Sequence, residues 1–98
     1  MDLKDTYKYL VGGYYGILEM DEYGTKEFVL KDIENYIKEF ITDNPIPNFD
    51  YEKEARKIEK ELSLKTKLQD SLLVLPKVNA PLELVLLVKK RIKDIAND

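Results

Sequence analysis

Apolar side chains recur three and four positions apart along most of this chain, and this spacing limits the folds it can adopt. It is the period of an α-helix that buries one face. At the start of the chain the pattern runs through Leu3, Tyr7, Leu10, Tyr14 and Ile17. Asp2 precedes these positions and is a residue type that caps helices well. The spacing therefore predicts a first helix that starts after Asp2.

Glycines interrupt this first segment. Three of them occur at Gly12, Gly13 and Gly16, and each costs about 1 kcal/mol relative to alanine inside a helix. The alternative is a β-hairpin over residues 7–20 that turns at Gly12-Gly13. We favour the helix because the apolar spacing continues across the glycines. In a helix, Gly12 and Gly16 share a face, which would let another helix approach closely.

A second helix is predicted from Thr25, its expected cap, to the Asn44-Pro45 pair. It ends there because the residue before a proline is pushed out of the helical region. Its apolar positions keep the same spacing and are Val29, Ile33, Tyr36 and Phe40.

Two further helical segments follow in the second half of the chain. The first comes after Asp50, and its apolar positions change phase after Ser63, which predicts either a kink or two short helices. Pro76 ends this segment and Pro81 opens the last helix, where a missing N–H does no harm. The alternative is that residues 72–88 contain paired strands, since short apolar runs fit both structures.

Together these segments predict an all-α fold, namely an antiparallel four-helix bundle, or five helices with a break near Ser63. Ninety-eight residues are enough for one core, so residues 1–98 are expected to form a single helical domain. The longest apolar run, Leu84–Val88, is far too short to span a bilayer, and no secretory signal is visible. We therefore expect a cytoplasmic protein.

The chain has no histidine, cysteine or tryptophan. It therefore lacks the commonest general base, the best thiol nucleophile and the usual zinc ligands. Carboxylates at Glu19, Asp21 and Glu22 cluster in a polar segment beside Gly24, where we expect them to stay solvated and ionised. We predict that the protein is not an enzyme and has no catalytic residue, metal site or cofactor.

The last helix is apolar on nearly every side over residues 82–88, so it must be wholly buried or must cover its spare side with a partner. We predict its core positions to be Val85, Val88, Ile92 and Ile95. That choice leaves Leu84 and Leu87 to contact a protein partner, or a second copy of the chain in a homodimer.

Basic residues follow directly at Lys89, Lys90, Arg91 and Lys93, and we add Lys90 and Arg91 to the predicted contact residues. Tyr15 and Tyr23 lie off the apolar spacing and are further candidates, because tyrosine buries a large area at little entropic cost. The chain has a net charge of -3, and residues 19–50 carry nine acidic and three basic side chains. Such an asymmetry can steer a charged partner.

These features predict a small non-enzymatic binding protein that inhibits or neutralises a macromolecular partner through a helical face. The alternative function is a small nucleic-acid-associated regulator, in which the basic last helix contacts phosphates and exposed tyrosines stack on bases. Only two of the 16 basic residues are arginine, which is typical of AT-rich coding in low-GC Gram-positive bacteria or their phages.

The chain also resembles a known family, the enterocin A-like immunity proteins of class II bacteriocins. The similar part is Glu27–Glu39, then Asn44-Pro45-Ile46-Pro47 and the helix from Asp50, which together cover about half of the chain. The resemblance implies a short four-helix bundle in the cytosol that protects its producer by engaging a toxin–receptor complex. No functional residue of that family can be carried over to this sequence.

Overall fold

Five α-helices account for most of the fold in a computed structural model that describes residues 2–21 and 24–97. A short 3₁₀ turn over Leu75–Val78 separates the last two. The helices are α1 (Leu3–Leu18), α2 (Thr25–Asp43), α3 (Tyr51–Glu61), α4 (Leu64–Val74) and α5 (Leu82–Ala96). The predicted all-α bundle is confirmed. The strand alternatives for residues 7–20 and 72–88 are wrong, since the described part of the chain contains no strand.

Side-chain caps fix where three of these helices begin. Asp2 accepts a hydrogen bond from the Asp5 amide at 2.8 Å, and Asp50 caps α3 in the same way. Ser63 accepts one from the Thr66 amide, so the phase change seen in the sequence is a true break between two helices. The predicted cap at Thr25 is wrong by one residue. Gly24 precedes α2 with φ of 83°, and Thr25 is already helical.

The glycines of α1 let α4 come close. A Cβ added to Gly16 would lie 2.5 Å from the Lys67 carbonyl oxygen, and one added to Gly12 would lie 2.5 Å from Asp70 Oδ2. Neither position has room for a side chain, and α1 packs more extensively against α4 than against any other helix. The prediction that Gly12 and Gly16 admit a neighbouring helix is confirmed, and the neighbour is α4.

The hydrophobic core consists of two clusters, which lie on two sides of α1. On one side Leu10 and Ile17 pack in the larger cluster, which includes buried residues of α2, α4 and α5 such as Ile33, Leu68 and Val88. On the other side is a smaller cluster of buried residues from α1 and α3, formed by Tyr7, Val11 and Ile58. In this arrangement α1 is central, while α5 packs against α4 at the periphery. Within the described ranges no helix combines the length and apolar composition needed to cross a membrane.

Candidate functional site

The four predicted core positions of α5, Val85, Val88, Ile92 and Ile95, lie in or against the core, and the inward face also includes Leu84. Leu84 is only 3% exposed and belongs to the core with Val88, while Val85 and Leu87 are half-buried beside them. The prediction of Leu84 as a contact residue is therefore wrong. The first half of α5 is apolar on every side, so periodicity alone did not determine which leucine points inward. Leu87 packs against the core, and Arg91 is also half-buried.

The outward face of α5 carries two exposed leucines and then lysines. Leu82 is 70% exposed and Leu86 is 54% exposed. Residues four, seven, eight and eleven positions after Leu82 lie on its side of the helix, which places exposed lysines in line with the leucines. We call this face the α5 surface, and it consists of Leu82, Leu86, Lys89, Lys90 and Lys93. Of the predicted contact residues, only Lys90 belongs to it.

The lysines of the α5 surface form no salt bridge with a residue that the structure describes. The exposed acidic residues of α5 itself are Glu83 and Asp94, which lie towards one edge of this face. Because the three lysines outnumber these two carboxylates and form no salt bridge within these ranges, the surface attracts a partner of negative charge. Sequence reasoning had noticed the lysines but had not singled out Leu82 or Leu86 as outward-facing.

A second candidate is a cavity of about 300 Å³ between α1, α2 and α3. Predicted contact residue Tyr15 is found here, half-buried, and Tyr14 beside it donates a hydrogen bond to Glu34 Oε1 at 3.2 Å. Tyr23 lies outside the described residues. The cavity is lined by Tyr7, Val11, Tyr14, Tyr15, Glu34, Ile37, Lys38 and Ala55. Most of its lining is apolar, and its polar groups belong to the three tyrosines, Glu34 and Lys38.

Burial raises the pKa of all three tyrosines in this cavity, in the case of Tyr7 to about 12. The Tyr7 hydroxyl also donates to the Tyr51 carbonyl at 2.7 Å. A phenol with a raised pKa remains protonated at neutral pH and does not act as a nucleophile or base there. The cavity therefore presents aromatic faces and neutral hydroxyls.

Two charged side chains are buried on the face of α4 that meets α1. Lys67 donates to Glu19 Oε1 at 2.6 Å, and its Nζ lies 5.8 Å from the centre of the Tyr15 ring. Asp70 lies against Gly12, and burial raises its carboxyl pKa to about 6, while the positive charge of Lys8 acts in the opposite direction. Sequence reasoning missed both residues. They share a face of α4 with buried Ser71 and Val74, and no local feature of the sequence marks that face as the one that meets α1.

A carboxyl with a raised pKa can mark a catalytic site when it faces a cleft. Asp70 instead faces the close contact between α1 and α4, and it is not among the residues that line the tyrosine-lined cavity. Within residues 2–21 and 24–97, no three acidic side chains converge closely enough to hold a metal ion. The geometry of Asp70 therefore indicates a structural position.

Comparison of the chain with protein-family models, with curated proteins and with solved structures gives no match. The functional interpretation consequently depends on the surfaces of the molecule itself. Of these, the α5 surface combines exposed apolar area with three lysines that form no salt bridge with a described residue.

Proposed function

We propose that this protein is a non-enzymatic binding protein that inhibits or neutralises a macromolecular partner through the α5 surface. The observation that carries the proposal is the pair of exposed leucines, Leu82 and Leu86, aligned with three exposed lysines on a well-packed helix. An apolar centre beside charged residues is the composition of a surface that a protein partner covers.

An acidic protein fits this surface better than a nucleic acid does. The lysines would contact either, but two leucines gain nothing against a phosphate backbone. An anionic membrane is also a poorer fit, because the α5 surface has no exposed aromatic residue to anchor it there.

The resemblance to bacteriocin immunity proteins suggests one biological setting for such a partner. In that setting the protein would engage a toxin, or a toxin bound to its receptor, inside the producing cell. An antitoxin or a phage inhibitor would use the same kind of contact. All three roles require a helical surface that binds protein and no catalytic group, which is the combination proposed here.

The test is capture of partners by matched variants of the protein from cells that produce it. The variant Leu82→Ser/Leu86→Ser removes the apolar part of the α5 surface. Leu73→Ser is the control, because Leu73 of α4 is exposed to the same extent as Leu86, at 54%, and lies off the α5 surface. We expect a protein that binds the wild type and Leu73→Ser but not the double variant.

Two results would overturn the proposal. One is that no protein depends on Leu82 and Leu86 for its capture. The other is that the dependent material is RNA or DNA, recognised by its loss after nuclease treatment and by binding that falls steeply with salt. Circular dichroism of each variant verifies that the serine substitutions have left the helices intact.

A further inference from the structure

We infer that the α5 surface pairs with α2 of a second copy of this chain. The outward side of α2 bears an exposed phenylalanine, Phe28, which is 73% exposed. Residues four, seven and eleven positions further on are also exposed and lie on the same side of the helix. We call this the α2 surface, and it consists of Phe28, Asp32, Asn35 and Glu39.

The two surfaces have the same order of chemistry along their helices. Each has its apolar part nearer the N-terminal end and its charged part nearer the C-terminal end, with opposite signs of charge. When two such helices lie side by side in parallel, placing Phe28 against Leu86 brings Asp32 opposite Lys90. Both charged residues are four positions further on, about 6 Å along each helix. Glu39 then lies about 6 Å beyond Lys93, one helical turn further on.

Both surfaces are exposed in one molecule, so they do not cover each other within a single chain. In the pairing that we infer, each molecule supplies its α5 surface to the α2 surface of the other. The α2 lysines Lys31 and Lys38 lie on one flank of the α2 surface and leave the negative charge of Asp32 and Glu39 accessible. Opposite charges on the two surfaces also steer this orientation of encounter.

The apolar area at each contact is small, namely one phenylalanine against two leucines. We therefore expect weak association with a dissociation constant of about 10–100 µM, which becomes weaker as salt is added. This inference rests on the proposed function in using the same α5 surface. A second copy bound there would exclude another partner, so self-association would hold the binding surface covered until an acidic competitor displaces it.

Sedimentation velocity of charge-reversed variants tests this pairing. The variants are Lys90→Glu/Lys93→Glu on α5 and Asp32→Lys/Glu39→Lys on α2. When two copies of the same variant meet, their α5 and α2 surfaces carry charge of the same sign. We expect the wild type to associate as its concentration rises from about 5 to about 500 µM, and each variant alone to remain monomeric. An equal mixture of the two variants should associate again, because its opposing charges once more have opposite signs.

The control is Lys57→Glu/Lys60→Glu, which makes the same change of charge on exposed positions of α3 and should associate as the wild type does. The inference is overturned if the wild type stays monomeric over this range, or if either charge-reversed variant of the α5 or α2 surface still associates alone. It is also overturned if the mixture of those two variants stays monomeric. Failure here is distinct from failure of the proposed function. Asp32→Lys/Glu39→Lys keeps the α5 surface intact, so its capture of another protein partner is still expected.

Discussion

Two regions of the molecule depart from the usual rule that apolar side chains are buried and charged ones exposed. They are the contact between α1 and α4 and the outward face of α5, and they depart from it in opposite ways. In the first, a lysine and an aspartate, Lys67 and Asp70, are buried. In the second, two leucines are exposed on a regular, well-packed helix. Both arrangements cost free energy relative to a conventional choice of residue.

The difference lies in what the chain itself provides to offset that cost. Lys67 has Glu19 and the ring of Tyr15 as partners, and the glycines of α1 leave room for the polar groups of α4. Leu82 and Leu86 have no comparable cover from the rest of the described chain. The buried polar groups are therefore explained by the fold, whereas the exposed leucines require something outside it.

Gly16→Ala should have the largest effect, because it breaks the close contact between α1 and α4. The new Cβ would lie 2.5 Å from the Lys67 carbonyl oxygen, so two backbones must separate. We expect the free energy of unfolding to fall by about 2–4 kcal/mol, although alanine has the better helix propensity.

Urea unfolding measures this loss, with Gly24→Ala as the control. Gly24 has open space around a new Cβ but a φ of 83° and a ψ of -99°, so its substitution costs about 1–3 kcal/mol of backbone strain without any steric contact. An increase in stability for Gly16→Ala would contradict the description of this helix contact.

Asp70→Asn tests the buried carboxyl in the same contact. The folded pKa of about 6 lies above the ordinary value of 3.8, so the folded protein holds this proton more tightly than the unfolded chain does. The contribution of Asp70 to stability is therefore complete below about pH 4 and is lost as the pH rises to about 6, at a cost of about 2–3 kcal/mol.

We expect Asp70→Asn to raise the free energy of unfolding at pH 7 by about 1–2 kcal/mol and to remove this fall between pH 4 and pH 6. Urea titrations at a series of pH values measure both effects. Asp43→Asn, at an exposed position of α2, serves as the comparison. An unchanged pH dependence in Asp70→Asn would show that the carboxyl is not held in the apolar contact.

Leu82→Ser/Leu86→Ser should have the smallest effect on stability, despite removing two leucines. Both side chains are already mostly in water, so we expect the free energy of unfolding to change by less than about 0.5 kcal/mol for each substitution. Thermal and urea unfolding measure the change. A loss of several kcal/mol would mean that these leucines belong to the core, and the contrast with α4 would disappear.

The helices themselves were predictable where only one face of the segment is apolar. The sequence of α1 shows its buried side despite the glycines, and the phase change at Ser63 coincides with a residue that caps α4. Which leucine of α5 faces inward was not predictable in this way, because leucine occupies both sides of the first half of the helix. Only packing against α4 determines that Leu84 faces inward and Leu86 outward.

The buried charges were beyond sequence reasoning for a different reason. Nothing local marks Lys67 or Asp70 as buried, since their burial depends on which helix meets the glycines of α1. The tyrosine-lined cavity likewise arises from three helices that meet in space. Tyr15 was noticed because it departs from the apolar spacing, but its position beside Tyr14 and Glu34 follows only from the tertiary structure.

We propose that the α5 surface recognises a partner and that exposed leucine elsewhere on the molecule does not. The most direct measurement is the dissociation constant for self-association of Leu86→Ser beside that of Leu73→Ser, since the two leucines are equally exposed, at 54%. We predict that Leu86→Ser weakens association about tenfold while Leu73→Ser leaves it unchanged. Equal behaviour of the two variants would contradict the account.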